Sequence, residues 1–142
     1  MAGDLIDVQV VKGAALQDKH DVMFYFIGAA QVDKLDTNRF LPGALCDHLT
    51  SFGGDLTGSS QMSSLRWLEA GATGSYGTVV EPCNVPGKFP NVGLLMRRYL
   101  SGETLLEAYW KSVAMPGQGL FIGDPLARPY ATRSASLQVS SW

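Results

Sequence analysis

The stretch that decides the fold class is Val22-Met-Phe-Tyr-Phe-Ile27, which Gly28 closes. No polar side chain interrupts it, and it is rich in aromatic and β-branched residues. Such a run predicts a strand that is covered on both faces, as in the centre of a parallel sheet. Shorter apolar segments with the same character follow at residues 40–46, 72–80 and 120–122. The chain therefore contains four candidate strands of one sheet.

Helical patterns separate these candidate strands. They cover residues 60–70, 92–100 and 103–113. Ser59 or Ser60 is expected to cap the first of these helices, and Gly71 supplies the left-handed residue that ends it. Strands that alternate with helices predict an α/β fold, with a mainly parallel sheet whose strands follow chain order.

The two ends of the chain differ from this pattern. Residues 5–11 alternate apolar and polar side chains, which predicts a half-buried strand near an edge of the sheet. From residue 129 onward the chain is rich in Ser, Ala and Thr, and only residues 137–139 resemble a strand. We therefore predict one domain over residues 1–128 and a tail over residues 129–142.

Composition and charge narrow the classes of function. The chain has 142 residues, of which 46% are hydrophobic and 17% charged, as expected for one globular domain. Its 11 Lys and Arg against 13 Asp and Glu give a net charge of -2, which argues against a nucleic-acid partner. The longest apolar stretch, residues 22–30, is too short to span a bilayer, and no export signal is recognisable. We expect no membrane partner, and the localisation stays open.

Polar side chains gather where the second and third predicted strands end. Asp47, His48 and Ser51 lie at the end of one strand, and Glu81 and Cys83 follow the other. If the two strands are parallel neighbours, all five residues meet at one edge, where α/β proteins bind ligands. A thiol or hydroxyl beside an imidazole makes a nucleophile and a base, and a carboxylate can orient the imidazole. The cluster therefore permits a cysteine or serine hydrolase that uses Cys83 or Ser51 with His48.

A structural role for the same residues is the alternative. Strand alternation puts Cys46 and His48 on one face and Asp47 on the other, so neighbours in sequence do not make a catalytic triad. His48 and Asp47 would then bond to loop backbone, while Cys83 packs under the proline-rich loop of residues 81–90.

Metal and anion sites are weaker alternatives at this edge. The cluster has donors for a divalent metal but no ligand spacing that fixes their geometry, so we predict no metal and no cofactor. Gly53 and Gly54 precede a helix and could offer amide hydrogens to an anion, with Asn84 beyond the third strand as a further polar contact. The alternative to anion binding is that the two glycines simply form a turn.

Three long sequence segments resemble a known family. They are LPGALCDHLTSFGG at residues 41–54, LRWLEAGATGSYGTVVEPCN at 65–84 and EAYWKSVAMPGQGLFIGDPLA at 107–127. They look like the carboxyl-terminal signature of an uncharacterised bacterial protein family whose members are longer. The resemblance implies that amino-terminal strands are missing, so the expected partner is that missing part or a second copy of this chain.

The order of these blocks also resembles, more distantly, the second half of caspase-fold peptidases of the gingipain and CHAT type. That resemblance implies a His-Gly after one central strand and a nucleophilic Cys at the end of the next. Ala29 stands at the position of the histidine, and Ser51, or Cys46 in a shifted register, stands at the position of the cysteine. We therefore predict a degenerate, non-catalytic caspase-like domain with a structural or interaction role, with no catalytic residues, and keep the hydrolase as the alternative.

Overall fold

A four-stranded sheet forms the centre of the computed structural model, which describes residues 6–13, 15–82 and 84–131. Its strands stand in chain order as β1 (Val22–Ile27), β2 (Phe40–His48), β3 (Gly74–Thr78) and β4 (Gly119–Gly123). The first three strands are parallel, and β4 runs antiparallel to β3. The predicted α/β class, the mainly parallel sheet and the strand order are confirmed.

In the described part of the chain, three α-helices flank the sheet: α1 (Leu65–Glu69), α2 (Val92–Leu100) and α3 (Leu105–Trp110). The α2 helix has the predicted bounds, and Asn91 caps it by accepting a hydrogen bond from the Leu94 N–H at 3.0 Å. Thr104 caps α3 in a reciprocal arrangement with Glu107, which satisfies amides that the first turn would otherwise leave unpaired.

The other two helices are shorter than predicted. The sequence pattern extends the first helix back to residue 60, but residues 60–64 form tertiary hydrogen bonds instead. The Met62 N–H donates to the Ala30 carbonyl at 2.9 Å, so Met62 is buried without being helical. The α3 helix, predicted over residues 103–113, ends at Trp110. Beyond it, the Ser112 carbonyl accepts a hydrogen bond from the Asn91 N–H at 2.9 Å, so it lies next to the start of α2.

Two hydrophobic clusters cover the two faces of the sheet. One lies toward α1 and includes Tyr25, Cys46 and Trp67. The other lies toward α2 and α3 and includes Leu45 and Tyr76. Successive residues of β2 enter opposite clusters, because side chains alternate across a strand.

The first strand lies at an edge of the sheet, so its predicted central position is wrong. Tyr25 packs into the cluster on the α1 side and Phe24 against the cluster on the other side. The unbroken apolar run therefore reflects two covered faces, not two neighbouring strands. The strand predicted at residues 5–11 is also wrong for its described part: residues 6–11 have no regular secondary structure, and Val10 is 93% exposed.

The packed part of the chain extends past the predicted domain end at residue 128. A Cβ atom placed on Gly43 would lie 2.7 Å from Cγ of Pro129, and the Tyr130 ring meets the Tyr99 ring edge-on at 5.8 Å. The rest of the predicted tail, residues 132–142 with the strand-like fragment 137–139, lies outside the described residues. Among the helices described, none has the length and apolarity to cross a membrane.

Candidate functional site

The carboxyl ends of β2 and β3 meet at one edge of the sheet, as the parallel arrangement predicts. The two strands share one residue pair, Leu45 with Gly74. Beyond that pair the β2–β3 ladder is not continued, and side chains and the loop of residues 50–54 connect the strands instead. The predicted site residues Asp47 and Ser51 belong to these connections, whereas His48 bonds to groups outside β3.

Asp47 takes the place of a backbone acceptor between the strands. Its Oδ1 atom accepts hydrogen bonds from the Tyr76 N–H at 2.7 Å, the Tyr109 hydroxyl at 3.0 Å and the Ser75 hydroxyl at 3.1 Å. The side chain is buried, and Oδ2 has no partner among the described residues. Burial raises the pKa of Asp47 from 3.8 to about 7, although the three donors act in the opposite direction.

His48 is held by groups on the opposite face of the sheet. Its Nδ1 atom accepts a hydrogen bond from the indole N–H of Trp67 at 3.0 Å, and Nε2 lies 2.6 Å from the Met62 carbonyl oxygen. A carbonyl only accepts and an indole N–H only donates, so these partners assign the proton to Nε2. His48 is 1% exposed, and burial lowers its pKa below 6.5. The imidazole is therefore neutral, and both of its nitrogens are engaged.

The sheet itself separates the carboxylate from the imidazole. Asp47 bonds to Tyr109 of α3, whereas His48 bonds to Trp67 of α1. The predicted placement of these two neighbours on opposite faces is confirmed. Asp47 therefore does not orient the His48 ring.

Ser51 is buried beneath the loop that it begins. It is 1% exposed, and its Oγ atom has no hydrogen-bond partner in the described structure. The Ser51 carbonyl accepts from the Thr78 hydroxyl at 2.9 Å, and so does the Thr50 carbonyl at 2.7 Å. Ser51 thus contributes its backbone to the connection with β3, and no hydrogen bond joins its hydroxyl to His48.

Gly53 and Gly54 allow this loop to lie directly against β3. The Gly54 N–H donates to the Thr78 carbonyl at 2.8 Å, and the Gly53 carbonyl accepts from the Ser64 N–H at 2.8 Å. A Cβ atom on Gly54 would lie 2.3 Å from the Gly77 carbonyl oxygen. The glycines are needed for close backbone approach, and the Gly54 amide that we considered for anion binding is used inside the fold.

The remaining candidates do not join a common site. Cys46 is buried in the cluster on the α1 side, where burial raises the pKa of its thiol well above the ordinary value. Glu81 and Asn84 are exposed after β3, and Cys83 lies outside the described residues. The described part of the chain also places no three His, Cys, Asp or Glu side chains together as a metal site.

Two helical side chains important to this edge were not predicted as part of it. Trp67 and Tyr109 lie among apolar residues of the helical patterns over 60–70 and 103–113, and nothing in their spacing marks them as polar partners of this edge. Their polar atoms define the partners of His48 and Asp47. Only a general rule could have indicated these two contacts, namely that a buried indole N–H or phenol hydroxyl needs a hydrogen-bond acceptor.

Comparison with known proteins adds no assignment: no protein-family model, no curated protein and no solved structure matches this chain.

Proposed function

We propose that this chain is a degenerate caspase-like domain without catalytic activity, and that its role is structural or in interaction with a partner. The observation that carries the proposal is the state of His48, whose two ring nitrogens are both hydrogen-bonded inside the fold. A general base needs a nitrogen within reach of the proton that it removes.

The two candidate nucleophiles that the structure describes, Ser51 and Cys46, are poorly placed for catalysis. The Ser51 hydroxyl is buried and has no hydrogen-bond partner among the residues described, so it is not placed to react with a substrate carbonyl. The Cys46 thiol is buried with a raised pKa, which disfavours the nucleophilic thiolate. Ala29, at the position of the histidine in the resembled peptidases, brings only a methyl group.

An interaction role fits the side chains that this edge exposes. Leu49 and Val79 directly follow β2 and β3, and they are 36% and 40% exposed. Exposed apolar side chains at neighbouring strand ends suit contact with another surface better than they suit proton transfer.

Covalent active-site probes test the proposal directly. We would incubate the full chain with a fluorophosphonate, which labels activated serines, and with a peptidyl acyloxymethyl ketone, which labels activated cysteines, and follow intact mass. We expect no labelling of Ser51 and no labelling of Cys83 above that of the heat-unfolded chain. A panel of fluorogenic peptides should show no turnover above buffer.

Matched variants make the result decisive. Ser51→Ala and Cys83→Ser each remove one candidate nucleophile, and His20→Gln changes the exposed histidine as a control. Labelling or turnover that Ser51→Ala or Cys83→Ser abolishes, and that His20→Gln leaves intact, would establish the hydrolase alternative and reject our proposal.

A further inference from the structure

Two cavities adjoin on the surface next to α2. The smaller, of about 360 Å³, lies between Leu49 and residues 84–91 at the carboxyl edge of the sheet. The larger, of about 630 Å³, lies between α2 and residues 111–114. Because Asn91 lines both cavities, they form two halves of one groove, which we call the α2 groove. Both volumes fall in the range of sites that hold ligands.

Backbone hydrogen bonds fix the walls of the α2 groove. The Asn91 N–H donates to the Ser112 carbonyl at 2.9 Å, and the Met115 N–H donates to the Gly87 carbonyl at 2.8 Å. Segments on opposite sides of the groove are thus joined through their main chains. A groove whose walls are already fixed loses little conformational freedom when a ligand enters it.

Gly93 leaves the larger half of the groove open, although the packing around it does not require glycine. It lies in the first turn of α2, and glycine is a poor helix former. A Cβ atom at Gly93 would meet only Oδ1 of Asn91, at the ordinary contact distance of 3.6 Å. A longer side chain would fit the fold but would extend into the groove, because Gly93 lines it.

The lining of the groove is positively charged, and no Asp or Glu of the described residues belongs to it. Arg97 follows Gly93 by four residues, so both lie on one face of α2. The exposed Arg97 guanidinium has no hydrogen bond or ion pair with any residue described. By contrast, Glu103 pairs with Arg98 at 2.9 Å and with Lys111 at 3.1 Å. The Arg97 charge is therefore left uncompensated within the described chain.

We propose that the α2 groove binds an acidic peptide segment of a partner protein, with a carboxylate on Arg97 and an apolar side chain beside Leu49. A guanidinium suits a carboxylate because it offers two parallel N–H donors. Leu49 is 36% exposed, and Pro86 lines the same half of the groove, so this half offers apolar contact. This inference rests on the interaction role proposed above and names the class of partner.

The length of α2 along the groove sets the spacing within such a peptide. Six residues separate Asn91, where the two halves meet, from Arg97, and at about 1.5 Å per residue they span about 9 Å. An extended peptide advances about 3.3 Å per residue. The acidic and apolar residues should therefore lie about three or four positions apart.

Fluorescence anisotropy of the full chain with labelled octapeptides tests the proposal. Each peptide carries one Leu and one Glu in a Gly and Ser background, in either order and at every spacing from two to six positions. We expect the tightest binding at a spacing of three or four. Replacing the Glu by Gln, or the Leu by Ser, should raise the dissociation constant by about tenfold.

Three variants locate the binding on the molecule. Arg97→Gln should raise the dissociation constant by about tenfold. Gly93→Leu should prevent binding by filling the groove, and thermal unfolding should show that the domain still folds, since a Cβ atom is accommodated there. Arg66→Gln is the control, because it removes an exposed positive charge on α1, away from the groove, and should leave the affinity unchanged.

The outcomes that would overturn the proposal are specific. One is the absence of binding at every spacing, and another is binding that Arg97→Gln and Gly93→Leu leave unchanged. Binding of a 20-nucleotide oligothymidine in place of the peptides, abolished by Arg97→Gln, would assign this cation to a nucleic acid instead. None of these results restores catalysis, which the covalent probes test separately.

Discussion

Individual polar residues at the end of β2 act as internal crosslinks. Asp47 replaces part of the backbone ladder toward β3, and His48 joins β2 to α1 and to the segment before it. Each is buried, and each has a pKa displaced mainly by that burial. In a site of unknown function such displacements can indicate catalysis, but here the hydrogen-bond partners are structural groups of the domain itself.

The Asp47 carboxyl makes the stability of the domain depend on pH. Because its folded pKa of about 7 lies above the ordinary 3.8, the folded state holds the proton more tightly than the unfolded state does. Its contribution to stability is complete below pH 4 and is lost as the pH rises to about 7. Asp47→Asn mimics the protonated acid and should remove this loss. We expect the variant to match the unmodified chain near pH 4 and to be more stable at pH 8 by up to about 4 kcal/mol.

Urea unfolding at pH 4, 6 and 8 measures this effect. Asp55→Asn serves as the control, because Asp55 is only partly buried and lies in the neighbouring loop. An Asp47→Asn protein that is less stable than the unmodified chain at pH 8 would show that the ionised carboxylate is the form the fold requires.

At the scale of elements, the close contact between the Gly53-Gly54 loop and β3 defines the candidate edge. A Cβ atom on Gly77 would lie 2.2 Å from the Gly54 backbone nitrogen and 2.5 Å from Oγ of Ser64. The loop cannot lie on a strand that carries a side chain at this position without moving away.

Gly77→Ala should therefore destabilise the domain by about 1–3 kcal/mol, the range typical of overpacking. Gly28→Ala is the matched control, because a Cβ atom at Gly28 meets nothing within 4 Å, and its effect should stay below about 1 kcal/mol. Thermal unfolding of both variants gives the comparison. Equal midpoints for Gly77→Ala and the unmodified chain would contradict the close contact.

Sequence patterns predicted which segments form helices and strands better than they predicted the tertiary contacts of those segments. The α2 helix and the order of the strands were predictable because apolar periodicity and capping residues act locally. The start of α1 was not, because Met62 has helical spacing while its N–H bonds to Ala30, 32 residues earlier in the chain. The edge position of β1 was also hidden, since an apolar run records covered faces and contains no information about strand neighbours.

At the scale of the whole molecule, the sheet divides the candidate site into two halves. Asp47 belongs to the core shared with α3, and His48 belongs to the core shared with α1. Sequence analysis could predict that both residues lie at one edge, because parallel strands end together. It could not predict which buried donors would engage them, since Trp67 and Tyr109 reach the edge only through the packing of helices.

The loss of catalysis proposed for this chain depends on His48 being a neutral, fully engaged side chain. Nitrogen-15 NMR of the labelled imidazole rings, with His20→Gln to assign the two residues, reports protonation and tautomer directly. We predict that His48 shows one tautomer with the proton on Nε2 and remains neutral as the pH falls through 6.5, the ordinary midpoint of histidine. A His48 ring that gains a proton at or above pH 6.5, or that carries its proton on Nδ1 with Nε2 free, would contradict the account.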